Sequence, residues 1–233
     1  MDIVAGVAVL LGAIAQALTG FGFSLVSAPF LVAAYDAPHG VQLNVAISIL
    51  VNIALLSRST QHVQWRTVGQ LLVPAAIATV AVGLLVQDDD GGALTVLAGA
   101  LCLLGVLAVA RNRPVRRLDG ATGRATIGAL SGAMNVAAGI GGPPVVLFGL
   151  NAGWAPKAGR STLQAFFLGI NVVALATLGL PDRLPPLVAV GMVLGLGIGW
   201  GLAERVAATD VRRATLLVAA AGSLLAIVRG IAG

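Results

Sequence analysis

Two stripes of polar residues, set in otherwise apolar sequence, contain the side chains that could do chemistry in this chain. Their members recur at spacings of four or seven, as on one face of a helix: Asn44, Ser48 and Asn52 in the first stripe, and Arg160, Gln164 and Asn171 in the second. Such residues either form hydrogen bonds between membrane helices or line a polar cavity. The occurrence of two matching stripes favours a shared cavity.

Each stripe follows an apolar block that glycine and proline interrupt. The interruptions are Gly20-Phe21-Gly22-Phe23 with Pro29 in block 3–35, and Gly139-Ile140-Gly141-Gly142-Pro143-Pro144 in block 125–150. Because proline removes a backbone donor and glycine weakens a helix, each block is predicted to form two helices, each short for a full membrane crossing. Free N–H groups at the start of a half-helix suit an anion, and glycine lets a ligand approach the backbone.

The two interruptions and the two stripes together predict one substrate site. Gln16, Thr19, Ser24 and Ser27 flank the first interruption, and Ser131 and Asn135 precede the second. The predicted substrate-binding residues are Thr19, Gly20, Gly22, Ser24, Asn52, Asn135, Gly139, Gly141, Gly142, Arg160, Gln164 and Asn171. Arg160 lies at the edge of its block, where it serves either as an ordinary membrane anchor or as an anion ligand facing the second interruption.

Ionisable groups are absent from the depth of the apolar blocks. No Asp, Glu, Lys or His lies deep within any of them, so neither a carboxylate proton relay nor an enzyme active site is predicted. Cys102 is the only cysteine, and His39 and His62 lack the partners of an HExxH metal site, so no metal or other cofactor is expected. The net charge of +5 comes from arginines in short gaps, which argues against a nucleic-acid partner.

Membrane helices are the elements that must position these residues. Hydrophobic residues make up 58% of the 233 residues and charged residues 10%, against about a quarter in soluble domains. Apolar runs of membrane-spanning length form eight blocks: 3–35, 41–57, 68–86, 92–110, 125–150, 161–180, 184–203 and 211–230. The gaps leave no room for a soluble domain. The N-terminus lacks a basic region and a cleavage site, so a cleaved signal peptide is not expected.

The two halves of the chain resemble each other at an offset of 118 or 119 residues. Gly20-Phe21-Gly22, for example, corresponds to Gly139-Ile140-Gly141. This similarity predicts an internal duplication, with a first repeat at 1–110, an Arg-rich linker at 111–124 and a second repeat at 125–233.

Charge predicts that the repeats are inverted in the membrane. If each interrupted block crosses an even number of times, twelve Lys and Arg residues lie on the side of the linker and two on the other side. A single crossing per block gives nine and five. The positive-inside rule therefore predicts a cytoplasmic linker and an all-α polytopic fold of two inverted repeats. Each repeat has three transmembrane helices and an interrupted segment, which forms either a re-entrant hairpin or two short crossings.

The sequence resembles the TauE/SafE family of membrane permeases, also described as sulfite exporters and toluenesulfonate-type permeases. The resemblance covers essentially the whole chain. It is carried by Gly20-Phe21-Gly22-Phe23 leading to Pro29, by Gln61-His62-Val63-Gln64-Trp65-Arg66, and by Gly132 to Pro144 followed by Arg160. It implies a bacterial, multi-pass inner-membrane protein that moves small anions such as sulfite, sulfonates and related organosulfur compounds.

The predicted function is secondary transport of a small anion, with the bilayer as the other partner. The alternatives are an anion channel on the same scaffold and a non-transporting membrane scaffold, although a scaffold has no need of broken helices. Export of an anion from a negative interior gains about 2.3 kcal/mol per charge per 100 mV, so it needs no proton relay. Substrate, direction, coupling ion and oligomeric state stay open, because the 31 glycines suit packing within one chain or in a homo-oligomer.

Overall fold

The computed structural model describes residues 1–86, 92–111, 120–202 and 208–232, and almost all of them are helical. They form ten α-helices: α1 (Asp2–Thr19), α2 (Phe23–Tyr35), α3 (Ala37–Leu56), α4 (Trp65–Val86), α5 (Gly92–Arg111), α6 (Gly120–Ala138), α7 (Gly142–Asn151), α8 (Pro156–Leu178), α9 (Pro186–Leu202) and α10 (Ala208–Ala232). A 3₁₀ turn at Thr60–His62 separates α3 from α4. No strand occurs in these ranges, and the predicted all-α fold is confirmed.

Six of the ten helices are long and apolar enough to cross a membrane: α1, α3, α4, α5, α8 and α10. The shorter helices α2 and α9 are also apolar. At ~1.5 Å per residue, α3 is about 30 Å long, which matches the hydrocarbon core of a bilayer. The chain is therefore a multi-pass membrane protein, as its composition predicts.

Both interrupted blocks break at a glycine in the left-handed conformation. α1 ends at Gly20 (φ 82°), whose N–H donates to the carbonyl of Gln16. α6 ends at Gly139 (φ 69°), whose N–H donates to the carbonyl of Asn135. A side chain is disfavoured at such φ, so glycine sets the end of both helices. The prediction that every piece is short is wrong for α1, because the break leaves it 18 residues, whereas α7 has 10.

Among the described residues, each half contains five helices in the same order, and helices of one half pack on helices of the other. α1 packs on α9 and α6 packs on α4, so the first helix of each half contacts the fourth helix of the other half. The third helices, α3 and α8, pack together antiparallel: the Gln42 amide, near the start of α3, donates to the carbonyl of Leu178 at the end of α8, at 2.7 Å. The duplication, the repeat boundaries and their inversion in the membrane stay predictions. Of the predicted linker 111–124, residues 112–119 lie outside the described ranges, and the residues from 120 onward belong to α6.

Glycine allows close packing of α1 on α9 and of α4 on α6. On α9, a Cβ at Gly195 would lie 2.5 Å from the carbonyl oxygen of Leu10 in α1. On α6, a Cβ at Gly132 would overlap the carbonyl of Ala75 in α4. Real Cβ atoms do not approach other atoms to less than about 3 Å, so these helices could not pack so closely with any larger residue.

We expect Gly195→Ala to destabilise the protein, because the added methyl group would overlap the α1 backbone. Overpacking of this kind costs about 1–3 kcal/mol, so the melting temperature in detergent should fall by several degrees. Gly197→Ala is the matched control, since Gly197 lies on the same helix with open space where its Cβ would be. Equal melting temperatures for the two variants would contradict this account of the α1–α9 contact.

Candidate functional site

A narrow polar cavity, called here the central cavity, lies between the two helix breaks. Its walls come from both breaks and from the middle of α3 and α8: Gln16, Phe21, Gly22, Phe23, Ser24, Leu25, Ser48, Asn52, Asn135, Ile140, Gly141, Gly142, Phe167 and Asn171. All of these residues are neutral. The volume is about 20 Å³, which is space for one water molecule.

The buried amide of Gln16 connects the first break to α3 and α8. Its Oε1 accepts a hydrogen bond from the N–H of Phe23 at 3.0 Å. Because that N–H can only donate, the Gln16 Nε2 faces the other way and donates to Asn52 Oδ1 at 3.3 Å and to Gln164 Oε1 at 3.0 Å. The Gln164 Nε2 then donates to the carbonyl of Gly20 at 3.0 Å. One backbone N–H thus fixes the orientation of three side-chain amides.

The second half repeats part of this network. Asn135 Nδ2 donates to Asn171 Oδ1 at 3.0 Å, at the positions equivalent to Gln16 and Asn52. The four side chains are at most 3% exposed. The bonds occupy the oxygens of Asn52 and Asn171, while their Nδ2 groups have no protein partner among the described residues. Because both residues line the central cavity, two equivalent amide donors remain for a ligand there.

Carbonyl groups at the breaks, which would repel an anion, are covered by side-chain donors. The carbonyl of Gly20 accepts from Gln164, and that of Gly139 accepts from Asn44 Nδ2 at 2.9 Å, so each half clamps the break of the other. Three further carbonyls accept side-chain donors in the same way: Leu18 from Arg160, Phe21 from Thr19 and Gly141 from Ser131. The cavity instead receives the starts of α2 and α7, which are the positive ends of their helix dipoles.

A larger space, called here the vestibule, adjoins the central cavity where α3 ends and α8 begins. It has a volume of about 370 Å³ and is lined by Arg58, His62, Lys157 and Arg160. Its described lining includes no acidic side chain. Gln16 lines both spaces, and its partner Gln164 lines the vestibule. The hydrogen bond between these two amides therefore lies at the boundary between the vestibule and the central cavity.

A third pocket, called here the outer pocket, lies at the opposite ends of α3 and α8. It has a volume of about 270 Å³, and its lining includes Tyr35, His39, Asp182 and Arg183. His39 Nε2 lies 3.8 Å from Asp182 Oδ2, so acidic and basic groups are mixed in this pocket. The vestibule and the outer pocket therefore mark the two ends of the helix pair that carries the polar stripes.

Most of the predicted site residues line the central cavity: Gly22, Ser24, Asn52, Asn135, Gly141, Gly142 and Asn171. Gly20, Arg160 and Gln164 line the vestibule instead. Thr19 and Gly139 take part in hydrogen bonds within or across the breaks. Contact of any of these residues with a substrate stays a prediction.

Arg160 faces the first break. Its interpretation as an anion ligand had predicted that it faces the second. Its Nη1 donates to the carbonyl of Leu18 at 3.3 Å, and its stem packs where a Cβ at Gly20 would be. This contact joins the start of α8 to the end of α1. A cation at a helix C-terminus also complements the helix dipole.

The other residues that line the cavity were missed as site residues: Gln16, Ser48, Leu25, Ile140 and three phenylalanines. Gln16 had a signal, because it stands 119 positions before Asn135, and Ser48 belongs to the first stripe. Three of the missed residues are aromatic: Phe21, Phe23 and Phe167. Their only signal in the sequence was that Phe21 and Phe23 both lie next to Gly22.

These features define a class of protein: a polytopic membrane protein with a buried polar cavity between two broken helices. The family model described as sulfite exporter TauE/SafE matches residues 4–226, which is nearly the whole chain. The chain therefore belongs to the TauE/SafE family, a family of membrane transporters and not of enzymes, as the resemblance implied. No curated protein and no solved structure matches it significantly.

Proposed function

We propose that this chain transports a small oxyanion, such as sulfite, a sulfonate or a related organosulfur anion, and binds it in the central cavity. In this proposal the two halves are inverted repeats in the inner membrane. The vestibule faces the cytoplasm, because the positive-inside rule assigns Arg58, Lys157 and Arg160 to that side. Alternating access then moves the anion between the vestibule and the outer pocket.

The amide donors and helix starts of the central cavity are the observation that supports an anion most directly. Asn52 and Asn171 offer amide donors to it, and two helices begin at its wall. The nearby carbonyls of Gly20 and Gly139 are already occupied by side-chain donors. Neutral N–H groups and helix N-termini of this kind hold buried oxyanions without a counter-charge.

The small volume of the central cavity favours a carrier over a channel. About 20 Å³ cannot hold sulfite, which has a sulfur and three oxygens, so the walls must move apart when it binds. A carrier makes such a movement in every cycle, whereas a conducting channel needs a continuous pore. Saturable flux is therefore the expected behaviour.

Sulfite flux into and out of proteoliposomes, at a set membrane potential, tests this proposal. We expect saturable flux whose outward component rises as the interior becomes more negative, by up to about 2.3 kcal/mol of driving force per charge per 100 mV. Asn52→Ala and Asn171→Ala should each weaken it, because each removes a donor from the cavity. A panel of sulfonates and carboxylates would define the substrate class.

Two outcomes of the flux measurement would count against the proposal. Flux that does not respond to membrane potential would exclude uncoupled anion movement. Folded protein that transports no anion of the panel would contradict the assignment of an oxyanion substrate. Empty liposomes, and liposomes with the Gly197→Ala control protein, set the background and the expected wild-type rate.

A further inference from the structure

We infer that the vestibule is a second binding site for the transported oxyanion, a loading site from which the anion passes to the central cavity. This inference rests on the proposed function, because it takes the transported ligand to be an anion. It gives the protein a preferred loading side, which is the side of the vestibule.

A group of positive charges is the first reason for a site in the vestibule. Arg58, Lys157 and Arg160 line one concave space whose described walls carry no acidic side chain. None of the three has an acidic partner within 4 Å in the part of the chain that the structure describes. Cations gathered in a concavity with low-dielectric walls focus the field and raise the local concentration of anions.

The contacts of two of these cations hold them in place without neutralising them. The Arg58 guanidinium lies 4.2 Å from the centroid of the Trp200 ring, and Arg160 donates to the carbonyl of Leu18. An aromatic face and a carbonyl orient a guanidinium but leave its full charge. Each of these side chains therefore has a contact at the wall of the vestibule that leaves its charge available to a ligand.

The vestibule and the central cavity suit successive stages of anion binding. The vestibule, at about 370 Å³, has room for an oxyanion with part of its hydration shell. The central cavity, at about 20 Å³ before it expands, accepts only a dehydrated ion. The first space attracts by charge, and the second selects by the placement of neutral donors.

The charge of the outer pocket differs from that of the vestibule, and this difference predicts the loading side. The outer pocket contains both Arg183 and Asp182, and Asp182 Oδ2 lies 3.8 Å from His39 Nε2. An anion therefore gains less attraction there. We expect a lower KM for substrate offered from the vestibule side than for substrate offered from the outer side.

The phosphate of an anionic lipid headgroup has the same chemistry as a free oxyanion and could also bind these cations. The membrane edge is where both ligands would meet Arg58 and Lys157. We commit to the transported oxyanion, because the vestibule leads to the Gln16–Gln164 bond and so to the central cavity. Vesicles of neutral lipid alone separate the two ligands.

The transport test neutralises Arg58 and Lys157 together and leaves Arg160 in place at the end of α1. In neutral-lipid vesicles sorted by protein orientation, Arg58→Gln with Lys157→Gln should raise the sulfite KM from the vestibule side about tenfold at low salt. The maximal rate from the vestibule side should stay within about twofold, because the charges act before the central site. Substrate offered from the outer side should keep its KM and lose about tenfold in maximal rate, because a substitution cannot change the ratio of the two directional kcat/KM values at a set potential. Added salt should raise the wild-type KM from the vestibule side and change that of the double variant little.

Two control variants define the effect of charge. Arg58→Lys with Lys157→Arg keeps both charges and should keep the wild-type KM, whereas Arg183→Gln should leave the KM from the vestibule side unchanged. Wild-type KM values in the neutralised double variant would overturn the loading site. An effect confined to vesicles with anionic lipid would assign the vestibule to a headgroup and would overturn it as well.

Equilibrium binding of radiolabelled sulfite to detergent-purified protein separates this inference from the proposed function. We expect the wild type to bind two sulfite ions, the Arg58/Lys157 double variant to lose one, and Asn52→Ala with Asn171→Ala to lose the other. If the wild type binds one ion and only the asparagine variant loses it, the loading site is wrong and the proposed function stands. If the wild type binds none, both are wrong.

Discussion

Asn171→Asp is expected to abolish anion transport while the protein stays folded. The change is nearly isosteric, but it replaces the Nδ2 donor with an oxygen and introduces a negative charge in the central cavity. Two like charges about 4 Å apart repel by about 4 kcal/mol at the effective dielectric of a protein site, which corresponds to roughly a thousandfold loss of kcat/KM. The measurement is sulfite flux in proteoliposomes, with kcat/KM from initial rates.

Two further variants decide whether the loss comes from the cavity. Asn52→Asp makes the same change at the equivalent position of the other half and should be about as damaging, since both Nδ2 groups face one cavity. Gln70→Glu adds the same charge near the start of α4, away from the cavity and where the side chain can reach the membrane interface, and should transport normally. Melting temperatures show whether each protein is folded. Normal transport by Asn171→Asp would place the substrate outside the central cavity.

The helix breaks were predictable because their cause is local. At Gly20 and Gly139 the chain needs a left-handed φ to end one helix, and glycine adopts that conformation at little cost. The polar stripes were predictable for a similar reason, since helical periodicity alone puts Asn52 and Asn171 on the inner faces of α3 and α8. Features with a local cause leave a signal in a single sequence.

The partners of each polar side chain were not predictable in the same way. Gln16 meets Gln164 across 148 positions, and that contact depends on how α1 and α8 cross and rotate. Arg160 was correctly placed at the start of a helix, but the break it faces is set by the packing of α8 against the end of α1. Hydropathy and spacing do not contain that relative orientation, so the anion-ligand interpretation named the wrong break.

The length of α1 was also not predictable from the sequence. Block 3–35 was divided into two short helices because its glycines lie near the middle, but the break at Gly20 leaves α1 with enough residues to cross the membrane. The position of a break relative to the bilayer depends on where the whole helix bundle sits in depth. Composition alone could not distinguish a re-entrant hairpin from two crossings for that reason.

Removal of the Gln164 side chain is expected to open the path between the vestibule and the central cavity. Gln164→Ala deletes the acceptor of Gln16 Nε2 and the donor to the carbonyl of Gly20. Each buried hydrogen bond contributes about 1 kcal/mol, so the open state should become roughly tenfold to a hundredfold more populated. The same loss should lower the free energy of unfolding by about 1–3 kcal/mol.

A cysteine in the central cavity can measure this opening. Cys102 is the only native cysteine and is 1% exposed, so Cys102→Ala with Ser24→Cys leaves one reactive thiol, at the cavity wall. We measure the rate at which an impermeant, negatively charged thiol reagent labels it from the vestibule side. The rate should be slow with Gln164 in place and rise in Gln164→Ala by the same roughly tenfold to a hundredfold factor.

Asn44, which covers the carbonyl at the other break, supplies the matched control. It distinguishes a specific barrier from a general loss of helix packing. Asn44 covers the carbonyl of Gly139 as Gln164 covers that of Gly20, but it lies nearer the outer end of α3. Asn44→Ala should therefore speed labelling from the outer side and leave the rate from the vestibule side near that of the background protein. Opposite sidedness of the two variants would identify the clamps as the two barriers that alternating access requires. Faster labelling from both sides in either variant would mean that the side chains only stabilise the packing, and the barrier would have to lie elsewhere.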